Sequence, residues 1–123
     1  MILQTKNIYK YTLNEDITLF YASFFDIVFE NNYIKLSNGW ITIKKGYSWN
    51  GCSPKIKLLG KIFGTPDGRN NQCKIPSCYH DALYQFKIGT KEDADFIFYE
   101  LLKKNNWKLA KIYYFAVVLF GKF

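Results

Sequence analysis

Short apolar and β-branched runs fill the first third of the chain, and helical spacing takes over in the last third. Ile27–Phe29, Tyr33–Leu36 and Trp40–Ile43 read as strands, with an earlier strand expected within Ile17–Tyr21. Asn31-Asn32 and Asn38-Gly39 separate these runs. Asn-Gly between two strands predicts a tight hairpin, because both central positions of a type I′ turn need positive φ. Residues 1–45 are therefore expected to form a small antiparallel β-meander.

Periodicity is lost between Gly46 and Lys74, where Gly51, Pro54, Gly60, Gly64, Pro66 and Gly68 punctuate the chain. Residues 46–75 read as a long Gly/Pro loop, with a short helical turn around Ile56–Ile62. A loop of this length in a compact domain usually carries function. From residue 76 to 123 the pattern predicts three helices. Pro76 fits a first helical turn, and that helix should run to about Phe86 and stop before Gly89. Thr90-Lys91-Glu92-Asp93 resembles a capping box with Asp in the usual place of Glu. The helix it opens should reach Lys104, with Ala94, Ile97, Phe98, Leu101 and Leu102 as its apolar face. A third helix is expected from near Asn106 to Phe120, with Gly121 as its stop. Its last two turns are apolar all round, from which burial is expected, with a partner or a membrane surface as the alternative. The fold class is α+β in one domain spanning residues 1–123.

Composition supports a packed domain: 49% of the 123 residues are hydrophobic and 20% aromatic. A chain of this size can bury a core without disulfide support. The net charge of +7 would ordinarily suggest an anionic partner. Arg69 is the lone arginine among 17 basic residues, however, and the lysines are scattered. Arginine is the better side chain for bidentate phosphate contacts, so its scarcity argues against nucleic acid as the partner. Abundant Lys, Asn, Ile, Phe and Tyr fit an AT-rich genome. Three cysteines, Cys52, Cys73 and Cys78, are an odd count, which argues against a closed disulfide framework and for buried thiols. The N-terminus lacks the pattern of a secretory signal. The longest apolar run, Ile112–Phe120, falls short of the roughly 20 residues a membrane span requires. A reducing cytoplasm, or a particle assembled there, is the expected setting.

Chemistry concentrates at Tyr79-His80-Asp81-Ala82-Leu83-Tyr84, with Asp95 on the next helix. Adjacent residues on a helix point about 100° apart, so His80 and Asp81 suit different tasks. His80 can act as a base while Asp81 holds a cation. The short connection around Lys87–Lys91 should fold the two helices back on each other. Asp95 could then reach the His80 ring and fix its tautomer. Tyr84, one turn after His80, could brace the same site. The same spacing would equally serve a packed histidine and a structural ion pair.

From Gly46 to Gly121 the chain resembles a phage and prophage family known as domain of unknown function 1353. The resemblance rests on Gly46-Tyr47-Ser48-Trp49-Asn50-Gly51-Cys52-Ser53-Pro54, on His80-Asp81-Ala82-Leu83-Tyr84, on Ala94-Asp95-Phe96-Ile97-Phe98, and on Leu119-Phe120-Gly121. The family pattern usually has Asp at the position of Asn50 and Ala at that of Cys52. This resemblance implies a phage origin, host cytoplasm or virion as the location, and other phage proteins as partners. It implies no reaction. The His80-Asp81 helix followed by Asp95-Phe96-Ile97-Phe98 also resembles the two catalytic helices of secreted and viral phospholipases A-two. That resemblance implies a lipase-like hydrolase with His80 activating water, Asp95 orienting it, and Asp81, with Asn50, at a metal. Calcium would be the ion, with zinc as second choice. The helix-linking disulfides of that family have no counterpart here.

Other chemistry fits less well. Cys52, Cys73, Cys78 and His80 could form a Cys₃His zinc site, but Cys73-x4-Cys78-x-His80 is not a usual knuckle spacing, and Cys78 and His80 point to different faces of a helix. Cys52 as a nucleophile lacks a recognisable oxyanion hole. Gly64-Thr65-Pro66-Asp67-Gly68 is not followed by the Lys-Ser/Thr of a phosphate loop, and Asp67 reads as a turn residue. Trp40, Trp49 and Trp107 read as packing residues. Two functional classes stay open: a hydrolase built on His80, Asp95, Tyr84 and Asp81, and a non-catalytic virion or accessory protein in which the His-Asp pair is a structural lock. A hydrolase needs His80 to open into a solvent-accessible pocket with Asp95 within hydrogen-bond reach. Sealing and complete bonding of the ring would exclude it.

Overall fold

The computed structural model describes residues 11–51, 73–106 and 109–123. The chain divides into two compact units, residues 1–49 and 50–123. The first is β and the second helical, which is the α+β class expected from the sequence.

In the first unit, strands β1 (Tyr11–Thr12) and β6 (Ser48–Trp49) pair antiparallel. Strands β2 (Ile17–Phe20), β3 (Phe29–Glu30), β4 (Ile34–Ser37) and β5 (Trp40–Ile43) form a second antiparallel sheet in the order β2-β5-β4-β3. The meander is thus β3-β4-β5, and β2 returns to the free side of β5. Asn38 and Gly39 turn β4 into β5 with φ of 51° and 84°, the left-handed pair that the Asn-Gly signal requires. At the other turn, the Asn31 side chain accepts hydrogen bonds from the backbone N–H groups of Tyr33 (2.8 Å) and Ile34 (2.9 Å). Register places Ile34 opposite Ile43 and Leu36 opposite Ile41, and all four side chains are buried. Each such burial stabilises by about 1.5–3 kcal/mol. Leu13, Phe24, Tyr47 and Trp49 are also buried in this unit. The expected loop therefore begins later than Gly46, because Ser48–Trp49 finds a strand partner that lies far back in the sequence. The turn signals from Pro54 to Gly68, the helical turn over 56–62, and Trp107 lie outside the described residues.

The second unit contains helices α1 (Lys74–Gln85), α2 (Lys91–Lys104) and α3 (Ala110–Phe120), with α2 packed against both of the others. Helix α1 ends with Lys87 in the left-handed region at φ 53°. The N–H of Ile88 donates to Leu83 O (3.0 Å) and that of Lys87 to Tyr84 O (3.2 Å), which satisfies two end carbonyls in a Schellman motif. Ile88 is buried beneath this turn. Helix α2 opens with a reciprocal capping box. Asp93 N–H donates to Thr90 Oγ1 (3.1 Å), and Thr90 N–H donates to Asp93 Oδ2 (3.3 Å). Glu92 and Asp93 in its first turn and Lys103 and Lys104 in its last complement the helix dipole. Cys73, Phe98, Leu102, Ala110, Tyr113, Ala116 and Val117 form a core cluster joining α2 to α3.

Four expectations need correction. Helix α3 begins at Ala110 rather than near Asn106, which sits at φ 60° and cannot continue a right-handed helix. Its last turns are not wholly buried: Phe115, Leu119 and Phe120 are 58%, 71% and 67% exposed. Gly121 follows in an extended conformation, not the left-handed one typical of a glycine cap. Cys73 is disulfide-bonded, against the expectation of three thiols, whereas Cys78 is a buried free thiol. No helix among the described residues is long and apolar enough to cross a membrane.

Candidate functional site

The Schellman turn and the capping box reverse the chain between α1 and α2 within a few residues. This reversal brings the inner face of α1, carrying His80 and Tyr84, against the first turns of α2. His80 Nε2 lies 2.7 Å from Asp95 Oδ1, and the Tyr84 hydroxyl donates to the same oxygen at 2.5 Å. The other carboxylate oxygen, Oδ2, accepts from Lys91 Nζ at 2.7 Å. The His80 ring also lies against Tyr84 and Phe98, with centroids 4.2 and 4.8 Å away.

Asp95 is almost completely buried. Burial by itself pushes its pKa up. The hydrogen bonds from His80, Lys91 and Tyr84 outweigh that effect and hold it below the usual carboxylate value. The Tyr84 hydroxyl is shifted strongly upward, by burial first and then by its hydrogen bond to Asp95, so it stays protonated and acts as a donor. An ionised carboxylate only accepts hydrogen bonds. The proton in the His80–Asp95 contact must therefore sit on Nε2. In the neutral ring Nδ1 is then the nitrogen with the lone pair. Among the described residues, Nδ1 has no hydrogen-bond partner. The ring is largely enclosed, with the residue 8% exposed. Of the two conditions set for a hydrolase, Asp95 is within reach, whereas His80 is buried rather than open to solvent.

Lys91 joins this network to the last helix. Its ammonium donates to Val117 O (2.9 Å) and Val118 O (3.0 Å) as well as to Asp95. Val117 O also accepts from the Gly121 N–H (2.8 Å), and a cation at this end meets the negative end of the helix dipole. One ammonium thus closes the end of α3 and neutralises a buried carboxylate. Gly121 lies over the network. A Cβ there would collide with the Tyr84 hydroxyl and come within 2.6 Å of Val117 O. Its role is close approach, not a special φ. The Phe123 ring stands edge-on to Tyr84 at 5.4 Å.

His80, Tyr84 and Asp95 are thus brought together. Asp81, the next residue along α1, is half-buried, and its charge adds to burial in raising the Cys78 thiol pKa. Asn50 is half-buried as well. Both have interactions of their own. Among the described residues no group of three or more His, Cys, Asp and Glu side chains is placed to hold a metal ion. A calcium ion takes six to eight oxygen ligands, so Asp81 with Asn50 does not make up such a set. The resemblance would take further carbonyl ligands from Gly51-Cys52 or Gly64–Gly68, and Cys52 and Gly64–Gly68 lie outside the described residues. The disulfide at Cys73 likewise takes one thiolate from a Cys₃His zinc site.

Sequence reasoning assigned Lys91 only to the capping box. Its spacing of four from Asp95 on one helix was a usable signal, since such residues face each other. Its contact with α3 had no local signal. No family model, curated protein or solved structure matches this chain.

Proposed function

We propose that this chain is a small phage protein with a hydrolase site in which His80 Nδ1 is the base. In the proposed step, water gives a proton to Nδ1 as its oxygen attacks an ester carbonyl. The proton then passes from the imidazolium to the departing alkoxide, leaving acid and alcohol. Asp95 would stabilise the transient imidazolium through Nε2, and Tyr84 and Lys91 would hold Asp95 in place. The observation that carries this reading is the division of the ring: Nε2 is committed to a triply bonded carboxylate, and among the described residues Nδ1 has no hydrogen-bond partner. No step is routed through a cation. The phage assignment rests on the sequence resemblance. Of host cytoplasm and virion, the virion suits a disulfide at Cys73 better.

The test is fatty-acid release from phospholipid vesicles and from soluble esters, with and without calcium. Wild-type protein is expected to turn over one of these substrates, and His80→Ala to lower the rate by about 10²–10⁴-fold, the usual range for a general base. Equal rates in wild type and His80→Ala, or no turnover of either substrate, would reject the reading. A second reading, a structural lock in a non-catalytic virion or accessory protein bound to other phage proteins, draws on the slight exposure of His80. It predicts that His80→Ala loses stability with no activity to lose.

A further inference from the structure

Helix α3 presents two apolar faces, and among the described residues only one has a partner. Ala110, Tyr113, Ala116 and Val117 enter the core cluster. Ile112, Phe115 and Leu119, at positions i, i+3 and i+7, form a stripe on the other side, flanked by Val118 and Phe120. Single exposed apolar residues are ordinary, whereas a continuous stripe on one helix marks a contact surface. Along the chain, the charges from the end of α2 onward are of one sign, although Lys103 also pairs with Glu100. After Glu100 the sequence contains Lys103, Lys104, Lys108, Lys111 and Lys122 and no Asp or Glu. Lys111 and Lys122 are exposed at the two ends of the stripe, and Lys103 and Lys104 are exposed at the end of α2.

We propose that this face of α3 seats on an anionic lipid surface. Phe115, Leu119 and Phe120 would enter the boundary between headgroups and acyl chains. The lysines would extend their stems along the apolar surface and place their ammonium groups among the lipid phosphates. An 11-residue helix is too short to cross the bilayer, so it lies in the interface. A second copy of the chain is the poorer occupant. A two-fold contact would set the same lysines against each other on a protein of net charge +7. This inference does not depend on His80 being catalytic.

The experiment is vesicle sedimentation of the full chain with phosphatidylcholine alone and with phosphatidylcholine mixed with phosphatidylglycerol. Binding is expected to the mixed vesicles, to weaken with added salt, and to fall about tenfold or more in Phe115→Ser/Leu119→Ser. A dye-labelled Leu119→Cys protein should brighten on the mixed vesicles, which reports insertion without removing the rest of the stripe. Absence of binding, equal binding by the double variant, or a dimer dissolved by the same two substitutions would overturn the proposal. Absence of ester turnover by the wild-type protein, with vesicle binding intact, would count against the base assignment alone.

Discussion

Replacing Asp95 by Asn keeps the shape of the side chain and removes its charge at the centre of the network. The carboxylate accepts from His80 (2.7 Å), Tyr84 (2.5 Å) and Lys91 (2.7 Å) and is almost wholly buried. An amide has one accepting oxygen. If that oxygen serves His80 and Tyr84, the NH₂ group faces the Lys91 ammonium, donor against donor. If the amide flips, it presents donors to His80 and Tyr84, and the ring must move its proton to Nδ1. Either arrangement leaves a buried donor unmatched. Breaking one side of a buried charged pair costs about 3–5 kcal/mol. Lys91 keeps two carbonyls and its side chain is 26% exposed, so the lower end, about 3 kcal/mol, applies. At an unfolding entropy of about 2.1 cal/mol/K per residue over 123 residues, this is a fall of about 12 °C in Tm. Urea unfolding and calorimetry measure both quantities. The pH dependence adds a second check. Folding lowers the Asp95 pKa, so its contribution is complete above the unfolded value of about 3.9 and is lost as pH falls through the lower folded value. Wild type should lose that component in acid, and Asp95→Asn should lack it. A destabilisation below about 1 kcal/mol with an unchanged acid limb would refute the account of Asp95 as a triply bonded buried anion.

Lys91→Met should cost about 1–3 kcal/mol, well above Lys103→Met, whose exposed pair with Glu100 at 3.2 Å contributes little; equal melting temperatures for the two variants would remove the α3 staple. Gly121→Ala should destabilise by about 1–3 kcal/mol through its clash with Tyr84, and the penalty should shrink in a Tyr84→Phe background. Strict additivity in that double-mutant cycle would contradict the contact. Cys78 is buried, and burial raises its thiol pKa, so Ellman's reagent should reach it only after denaturation; rapid reaction of the native protein would show otherwise.

The sequence by itself determined the elements whose causes are local. Asn38-Gly39 specifies a left-handed turn, Thr90 to Asp93 a capping box, and the 3.6-residue spacing of Ala94, Ile97, Phe98 and Leu102 a buried helical face. The pairing of His80 with Asp95 was also legible, because a short connection between two helices leaves few ways to pack them. What tertiary structure decided depends on groups far apart in sequence. Ser48–Trp49 becomes a strand only because Tyr11–Thr12 supplies its hydrogen bonds. Lys91 becomes a staple only because the end of α3 brings two backbone carbonyls to its ammonium. The apolar run Ile112–Phe120 is uniform in sequence and divided in the fold. A helix turns its residues in every direction, and the α2–α3 core covers only one side. Periodicity records which side is covered when the other is polar. Here both sides are apolar, so only packing could separate the core face from the exposed one.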